Sequence, residues 1–401
     1  MTPFNPLNPE LTVNPYPAYA ALRQNDPVHL SAMGAYVLTR YDDVKHMLND
    51  GATFQHQYVA QQIQRTGAGV EDEPYFDYFK RMIFVSDGED HRRLRKLVAK
   101  AFTPKQLSEL KRKAEVIAHE LYAEGAKQGG MDFVSEFAFP FPLRVIGSML
   151  GIPDSDHSEI GGYATDLNPV LEFLPMSPEV LAKANQAIEV LADYFLKMAE
   201  ARRKSPTDDL FSALVHATED GDTLSNEELI ANAILLYVAG HETTAGGTSL
   251  ALYTLHNNPE QFEALKNNPE LIPGSIDELL RYDTPGQGTA RVVMQPTTFG
   301  EHEVAPGSFV LGYLGAANRD SEVFENPDEL NFQRDLSRTR PLTFGGGGHM
   351  CVGRNLARQE FEIAFGTLLT QHPSIQVLED ECLFRDTPLM RGLKKLPISW
   401  T

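Results

Sequence analysis

The stretch PLTFGGGGHMCVGRNLAR, residues 341–358, joins four consecutive glycines to a histidine, a cysteine and the start of a predicted helix. Glycine loses more conformational freedom on folding than any other residue, so a run of four is costly to order. The run therefore suggests that another group approaches this backbone closely. Cys351, one of only two cysteines in the chain, lies directly before the helix.

The composition limits the classes of protein to which the chain can belong. Its 401 residues are 42% hydrophobic, enough for a large core in one big domain or two. The net charge of −20 argues against nucleic acid and anionic membranes as partners. Two cysteines cannot form a disulfide framework, so a reduced, cytoplasmic location is expected. The N-terminus lacks a signal-peptide pattern, and no apolar run reaches the roughly 18 residues of a membrane span.

The hydrophobic pattern predicts a mainly α fold with a minor β region, in a single domain over residues 1–401. Apolar runs on either side of Gly34 predict a hairpin, and strand patterns return at 290–311. Residues 51–85 have no clean period and predict a long loop with helical pieces and an aromatic cluster. From Asp87 the pattern is helical, with helices predicted at 91–102, 104–127, 134–150, 155–174 and 178–204. Thr103, Pro104 and Gln106 predict the start of the second of these.

The longest predicted helix begins at a capping box formed by Ser225 and Glu228 and runs for more than about 30 residues. Its middle reads AGHETTAGG, residues 239–247, within an otherwise apolar segment. The glycines alone favour a packing notch where another element crosses closely. The carboxylate and hydroxyls favour a function, because burying an acid is costly without a partner or a task. A zinc-protease pattern H-E-x-x-H fails here, because its second histidine position is Ala245.

A third pattern is the pair Glu278 and Arg281, one turn apart on a predicted helix. Taken alone, such a pair is usually a surface ion pair worth about 0.5 kcal/mol. Its apolar neighbours Ile276, Leu279 and Leu280 are also consistent with a buried pair.

Together, and in this order, the three patterns resemble the cytochrome P-450 family over nearly the whole chain. The family pattern F-G-x-G-x-H-x-C-x-G is met at residues 344–353, A-G-x-E-T-T at 239–244 and E-x-x-R at 278–281. The resemblance implies a long central helix over a haem, with a cysteine loop on the other face. It also implies that Glu278 and Arg281 share a structural network with a later arginine, for which Arg334 is the candidate.

The resemblance implies a haem b whose iron is bound by the Cys351 thiolate. Glycines would let the loop, including Phe344 and Gly345, lie flat against the porphyrin, and the following helix would stabilise the thiolate. Cys382 lacks these surroundings and is expected to be an ordinary thiol. By the same resemblance the haem propionates bind four cationic side chains: His91, Arg95, Arg291 and His349.

The expected reaction is activation of O₂ with two electrons and two protons, followed by oxygen insertion into a C–H bond. Glu242 and Thr243 are the expected catalytic residues, one relaying protons and the other holding a hydrogen bond. The expected substrate is a hydrophobic small molecule or secondary metabolite. Its contacts by resemblance include Leu235, Ala239, Thr289 and Met390, with Gln287 as a further polar contact.

Electrons are expected from a separate ferredoxin or flavodoxin, because the chain shows no fused reductase and two cysteines cannot hold a cluster. Such carriers are acidic, so a basic patch is expected at Arg92, Arg93, Lys96, Lys100, Lys105, Lys111, Arg112 and Lys113, with Arg354 and Arg358. A monomer without a membrane anchor is expected. Oxidative phenol coupling in the same pocket stays open as an alternative, whereas the acid–alcohol pair argues against the other alternative, peroxide-driven oxidation, and against a non-catalytic haem-binding module.

Overall fold

A computed structural model describes residues 4, 8, 10–67, 69–101, 104–171, 176–219, 221–387 and 389–400. About 60% of the structure is helical, with a small β region. The α-helices are α1 Glu10–Val13, α2 Tyr16–Asn25, α3 Tyr41–Asn49, α4 Tyr58–Thr66, α5 Pro74–Phe79, α6 Gly88–Ala101, α7 Pro104–Gln128, α8 Pro140–Leu150, α9 His157–Asp166, α10 Asn168–Leu171, α11 Pro178–Lys204, α12 Leu210–Val215, α13 Asn226–His256, α14 Pro259–Asn267, α15 Ile272–Tyr282, α16 Leu314–Ala317 and α17 Arg354–Gln371. The mainly α prediction is confirmed.

The strands form one larger sheet and several small ones. They are β1 Val28–Leu30, β2 Ala35–Leu38, β3 Phe54–Gln55, β4 Gly130–Asp132, β5 Thr218–Glu219, β6 Asp222–Thr223, β7 Gly288–Val293, β8 Thr297–Phe299, β9 His302–Val304, β10 Phe309–Tyr313, β11 Ile375–Val377, β12 Leu383–Phe384, β13 Leu393–Lys395 and β14 Pro397–Trp400. The larger sheet has the order β1-β2-β10-β7-β3. The predicted hairpin is its β1–β2 edge, and β10 runs parallel to β2 and antiparallel to β7.

The chain divides into two compact units. The first comprises residues 1–55, 118–140 and 243–401, and the second residues 56–117 and 141–242. In the first unit, α3 packs on the larger sheet through Val44 and Met47, which share a buried cluster with Leu38 and Val310. In the second unit, the predicted aromatic cluster is largely buried: Tyr75, Phe76 and Phe79 on α5 lie beside α11.

Several predicted helices differ from the structure or extend outside the described residues. The region predicted as helical from 155 to 174 contains α9 and α10, and residues 172–174 lie outside the described residues, as does residue 102 at the end of the predicted 91–102 helix. The segment predicted as one helix from 134 to 150 is a π-helix, Val134–Ala138, followed by α8. Helix α7 begins at Pro104, and Thr103 lies outside the described residues. Among the described residues, no helix combines the length and the apolar character needed to cross a bilayer.

The capping box at the start of α13 forms as predicted. The Glu228 amide donates to Ser225 Oγ over 3.1 Å, and the Ser225 amide donates to Glu228 Oε2 over 2.9 Å. Each side chain thus satisfies an amide that the first helical turn leaves without a carbonyl partner. A local sequence signal therefore fixes where the 31-residue helix begins.

Glu278 and Arg281 form a buried ion pair rather than a surface one. Glu278 is 1% exposed and Arg281 is 0% exposed, and Arg281 Nε donates to Glu278 Oε2 over 2.7 Å. The other guanidinium donors bind Glu278 Oε1 and the carbonyls of Asn318, Pro327 and Glu329. Arg334 Nε completes the cluster at 3.2 Å from both Glu278 oxygens, as expected for the third partner. Full hydrogen bonding makes the burial of these charges tolerable.

We expect Glu278→Gln to lower the free energy of unfolding by about 3–5 kcal/mol, because it leaves two guanidinium groups without their buried counter-charge. Asp277→Asn is the matched control: the adjacent acid is partly exposed and pairs with Arg358 over 3.4 Å. That exposed pair should contribute at most about 1 kcal/mol. Urea unfolding of both variants measures the difference, and equal losses would contradict a special role for the Glu278 cluster.

Candidate active site

The cysteine loop takes its shape from glycines in the left-handed region. Gly345 has φ +69° and Gly347 φ +58°, conformations that residues with a Cβ adopt only at a cost. A Cβ on Gly347 would also lie 2.3 Å from the carbonyl oxygen of Leu48 on α3. The backbone then turns back, and the Cys351 amide donates to the Phe344 carbonyl over 2.9 Å. Protein contacts thus already account for part of the glycine run.

The loop is anchored to the Glu278–Arg281 cluster through Asn318. Arg281 binds the Asn318 carbonyl, and the Asn318 side chain accepts from the Leu342 amide over 2.6 Å and donates to Thr343 Oγ1 over 3.0 Å. Thr343 Oγ1 in turn donates to the Leu280 carbonyl on α15. The first residues of the loop therefore have a fixed position relative to the buried ion pair.

The two cysteines have different surroundings. Cys351 is exposed and lies three residues before the first residue of α17, where the positive end of an 18-residue helix favours a thiolate. Burial, followed by the nearby carboxylate of Glu379, raises the pKa of the Cys382 thiol to about 11. Cys382 is therefore a protonated thiol at neutral pH, as its sequence surroundings predict.

Helix α13 exposes one short face in an otherwise buried segment. Of residues 229–252, all of which are described, only Ala239, Gly240 and Thr243 are more than marginally exposed. Positions 239 and 243 are one turn apart, so they share a face. Leu235, one turn earlier, is 7% exposed, and Glu242 is 8% exposed. Within residues 229–252, the accessible face of α13 therefore lies at residues 239–243.

The helix glycines are packing positions, as the packing interpretation of the sequence predicts. A Cβ on Gly240 would lie 2.8 Å from Ile146 Cγ1 on α8. A Cβ on Gly246 would lie 2.8 Å from the carbonyl oxygen of Arg391, and one on Gly247 would lie 2.7 Å from the ring tip of Phe361. The missing side chain of each glycine thus leaves room for a different neighbouring residue.

The polar residues of the segment have defined partners. His241 Nδ1 lies 2.8 Å from the Tyr237 carbonyl, which can only accept, so this nitrogen donates. His241 Nε2 lies 3.5 Å from Glu242 Oε2. Thr244 points to α17 instead, where its hydroxyl donates to Glu360 Oε2 over 3.2 Å. Glu242 and Thr244 therefore have separate environments although they are two residues apart.

A sequence profile described as Cytochrome P450 matches residues 28–400. The chain belongs to the cytochrome P450 family. It is 39% identical to cytochrome P450 107B1 of Saccharopolyspora erythraea, covering 95% of this chain and 93% of that relative. It is 36% identical to the polyketide biosynthesis cytochrome P450 PksS of Bacillus subtilis, covering 99% and 98%.

Solved P450 structures have the same fold. The structure of PksS aligns with a TM-score of 0.89 at 34% identity, covering 99% of this chain and 100% of that chain. P450BioI, solved with an acyl carrier protein ligated to hexadec-9Z-enoic acid, aligns with a TM-score of 0.90 at 31% identity, covering 98% and 99%. Members of this family are monooxygenases, so this chain is a P450 monooxygenase and membership implies a haem–thiolate cofactor.

The residues expected at the haem propionates are placed as follows. In the second unit of this P450, His91 and Arg95 lie one turn apart on α6, with His91 buried and Arg95 partly exposed. In the first unit, Arg291 is 4% exposed and donates to Thr289 Oγ1 over 2.8 Å. Because it is buried, Arg291 is not an ordinary surface cation. His349 lies in the cysteine loop itself and is partly exposed.

The residues expected to contact the substrate differ in their exposure. Thr289 and Met390 are partly exposed, and Met390 lies on a turn whose backbone pairs with Gly286. Gln287 is 0% exposed, and its amide donates to the Thr284 carbonyl over 2.7 Å. The expectation of a polar substrate contact at Gln287 is therefore wrong, because tertiary neighbours enclose its side chain.

The expected basic patch is partly neutralised within the second unit. Arg93 forms ion pairs with Glu228, the capping-box residue, and with Asp222. In the first unit, Arg354 and Arg358 of the expected patch line a cleft of about 630 Å³ beside Phe344 and Met350 of the cysteine loop, and sequence reasoning missed its other cations. Six cations line it: Lys45, Arg334, Arg338, Arg340, Arg354 and Arg358. The spacing of arginines in RDLSRTR, residues 334–340, was the available sequence signal.

We expect Glu360→Gln to stabilise the protein relative to wild type increasingly as pH rises. Burial raises the pKa of Glu360 well above its usual value, and the Thr244 hydrogen bond offsets part of that rise. The unfolded chain loses this proton near pH 4.5 whereas the folded chain keeps it, so rising pH favours unfolding of the wild type. The amide does not titrate, and the stability gap should grow by up to about 1.4 kcal/mol per pH unit.

Denaturant unfolding from about pH 5 to about pH 8 measures this gap. Glu362→Gln, on the same helix with a partly exposed side chain, controls for the loss of one acidic residue. A gap that stays constant with pH would show that Glu360 ionises in the folded protein.

Proposed function

We propose that this P450 oxidises a hydrophobic small molecule or secondary-metabolite scaffold with O₂, using a haem b bound through Cys351 and electrons from a separate ferredoxin or flavodoxin. The observation that supports this most directly is the cysteine loop, where an exposed thiol lies at a helix start behind two left-handed glycines. A thiolate is the ligand that haem-dependent oxygen activation requires in this family.

The residues present fit a haem. The Cys351 thiolate would bind the iron, and Phe344 and Gly345 of the same loop would contact the ring. His91, Arg95, Arg291 and His349 would bind the propionates, which need cations in a chain with a net charge of −20. When bound, the haem supplies O₂ activation and the oxidising chemistry.

Glu242 and Thr243 are proposed to manage protons at the exposed face of α13. The Thr243 hydroxyl can donate one hydrogen bond and accept others, so its Oγ1 can hold a water in a fixed position. The Glu242 carboxylate can then take up a proton and release it towards that water. Most neighbouring residues on α13 are apolar and buried, which would limit the number of routes that a proton can take.

The substrate is proposed to be apolar and contacted by Leu235, Ala239, Thr289 and Met390. The relatives support this class: PksS is named for polyketide biosynthesis, and P450BioI was solved with a fatty acid linked to its carrier protein. A free small molecule and a carrier-linked one share the same hydrophobic chemistry, and a ligand titration distinguishes them.

The electron carrier is proposed to dock at the cationic cleft beside the cysteine loop. Within it, Arg338 and Arg340 are exposed, and Arg354 and Arg358 share the single carboxylate of Asp277. This excess of positive charge would attract an acidic carrier even though the whole chain is acidic.

We expect Cys351→Ala to abolish the thiolate-type Soret band of the reduced CO complex, and Cys382→Ala to retain it. Only the first variant removes the iron ligand, whereas the second removes a thiol whose pKa is raised.

The wild-type ferric protein, titrated with terpenes, steroids, macrolides, fatty acids and aromatics, should show a Soret blue shift with compounds of its ligand class. Haem with no shift from any free ligand would favour a carrier-linked substrate. Failure of wild type to bind haem would refute the proposal.

We expect Thr243→Ala to keep consuming reductant but to release peroxide, with product per electron pair lowered about 10²-fold. The variant removes the hydroxyl that holds the water for proton delivery, and leaves electron entry intact. Thr248→Ala is the control, because Thr248 is buried on the same helix and its hydroxyl binds the Thr244 carbonyl over 2.8 Å. Reductant, peroxide and product are measured with a ligand that gives the blue shift. Normal coupling in Thr243→Ala would remove Thr243 from the mechanism.

A further inference from the structure

The turn that carries Met390 lies directly on the backbone of helix α13. A Cβ on Gly392 would be 2.9 Å from the Cα of Gly246, and a Cβ on Gly246 would be 2.8 Å from the Arg391 carbonyl oxygen. The contact occurs one turn after Thr243. One further turn on, Ser249 Oγ accepts from the Leu393 amide over 3.2 Å. Two glycines therefore let the turn approach the helix as closely as backbones can.

The same turn is fixed on its other side by a short antiparallel pairing. The Arg391 amide donates to the Pro285 carbonyl over 2.7 Å, and the Gln287 amide donates to the Leu389 carbonyl over 2.8 Å. The Thr387 hydroxyl donates to the Met390 carbonyl over 2.8 Å. These bonds fix the register of Met390 relative to Gly286, two residues before β7.

The Arg391 side chain adds a third restraint. It is 4% exposed, and its Nε donates to Asp283 Oδ1 over 2.9 Å. Its terminal nitrogens bind the carbonyls of Thr12 and Val13, and the Tyr16 hydroxyl donates to Asp283 Oδ1 over 2.7 Å. The guanidinium thus joins the turn to the end of α15 and to the N-terminal segment. A buried ion pair of this kind is favourable only while its charge-assisted hydrogen bonds keep their geometry.

We propose that Gly246, Gly392 and Arg391 are positioning residues that fix the distance between Met390 and Thr243, and so determine which ligand shapes the site accepts. This inference rests on the proposed function, which puts Met390 at the substrate. Backbone contact, strand pairing and a buried ion pair restrain the turn from three directions. The backbone of Met390, whose side chain is partly exposed, therefore cannot move away from a bulky ligand without breaking one of them.

Two nitrogen ligands of haem iron test this in the ferric holoprotein. Imidazole needs little room, whereas 4-phenylimidazole needs room for an additional ring. The ratio of their Kd values therefore reports on the shape of the ligand site. We expect Gly246→Ala to change this ratio by at least about fivefold, because the new Cβ must displace the Arg391 carbonyl. Arg391→Lys, which loses the paired donors to Asp283, should change the ratio in the same direction.

Gly247→Ala is the matched control. Its new Cβ is equally crowded, but it lies closest to the ring tip of Phe361 and next to Pro285 Cγ at 3.3 Å, not to the Arg391 carbonyl, so the ratio should stay within about twofold of wild type. Met390→Ala separates the positioning role proposed here from the ligand contact proposed for Met390 itself. If Met390→Ala changes the ratio and folded Gly246→Ala and Arg391→Lys do not, the positioning role is wrong and the ligand contact stands. If Met390→Ala leaves the ratio unchanged, Met390 does not contact the ligand and the inference fails with it. A wild type that shows no Soret shift with imidazole would refute the proposed haem site instead.

Discussion

The buried carboxylate of Glu278 is the interaction on which the cysteine loop depends. It binds both Arg281 and Arg334, and the fully buried Arg281 uses its remaining donors on backbone carbonyls. One of those carbonyls belongs to Asn318, whose side chain binds the first residues of the loop. A charge pair that contributes little net stability can still fix one geometry, because any other arrangement leaves a charge buried without a partner.

Glycine has two separate tasks in the candidate active site. In the cysteine loop, Gly345 and Gly347 adopt left-handed conformations, and Gly347 also makes room for the Leu48 carbonyl. In α13 the glycines have ordinary helical geometry and instead remove side chains that would strike neighbouring elements. A glycine in a sequence therefore indicates that space is needed without showing what fills it. Only the packed structure identifies Ile146, Arg391 and Phe361 as the neighbours.

Features encoded by nearby residues were predictable from the sequence, and features made by distant residues were not. The capping box at Ser225, the β1–β2 hairpin and the Glu278–Arg281 pair involve residues close together in the chain, and the motif patterns identified the family. The pairing of Thr244 with Glu360 joins residues 116 positions apart, and no local pattern indicates it. Gln287 was misjudged for the same reason: its position beside a strand is readable, but its enclosure is not. Arg93 belonged to a basic run in the sequence, yet Glu228 and Asp222 reach it from far along the chain.

Helix geometry explains why two adjacent threonines have different tasks. Successive residues of an α-helix point about 100° apart, so Thr243 and Thr244 face different parts of their surroundings. Thr244 faces α17, where its hydroxyl donates to Oε2 of the buried acid Glu360. Thr243 shares its face with Ala239, the small residue one turn earlier, and remains partly exposed. Thr244 is 3% exposed, whereas Thr243 is partly exposed and can be reached by a water or a ligand. The packing of Glu360 on one side of α13 therefore favours Thr243 over Thr244 as the hydroxyl that meets a ligand.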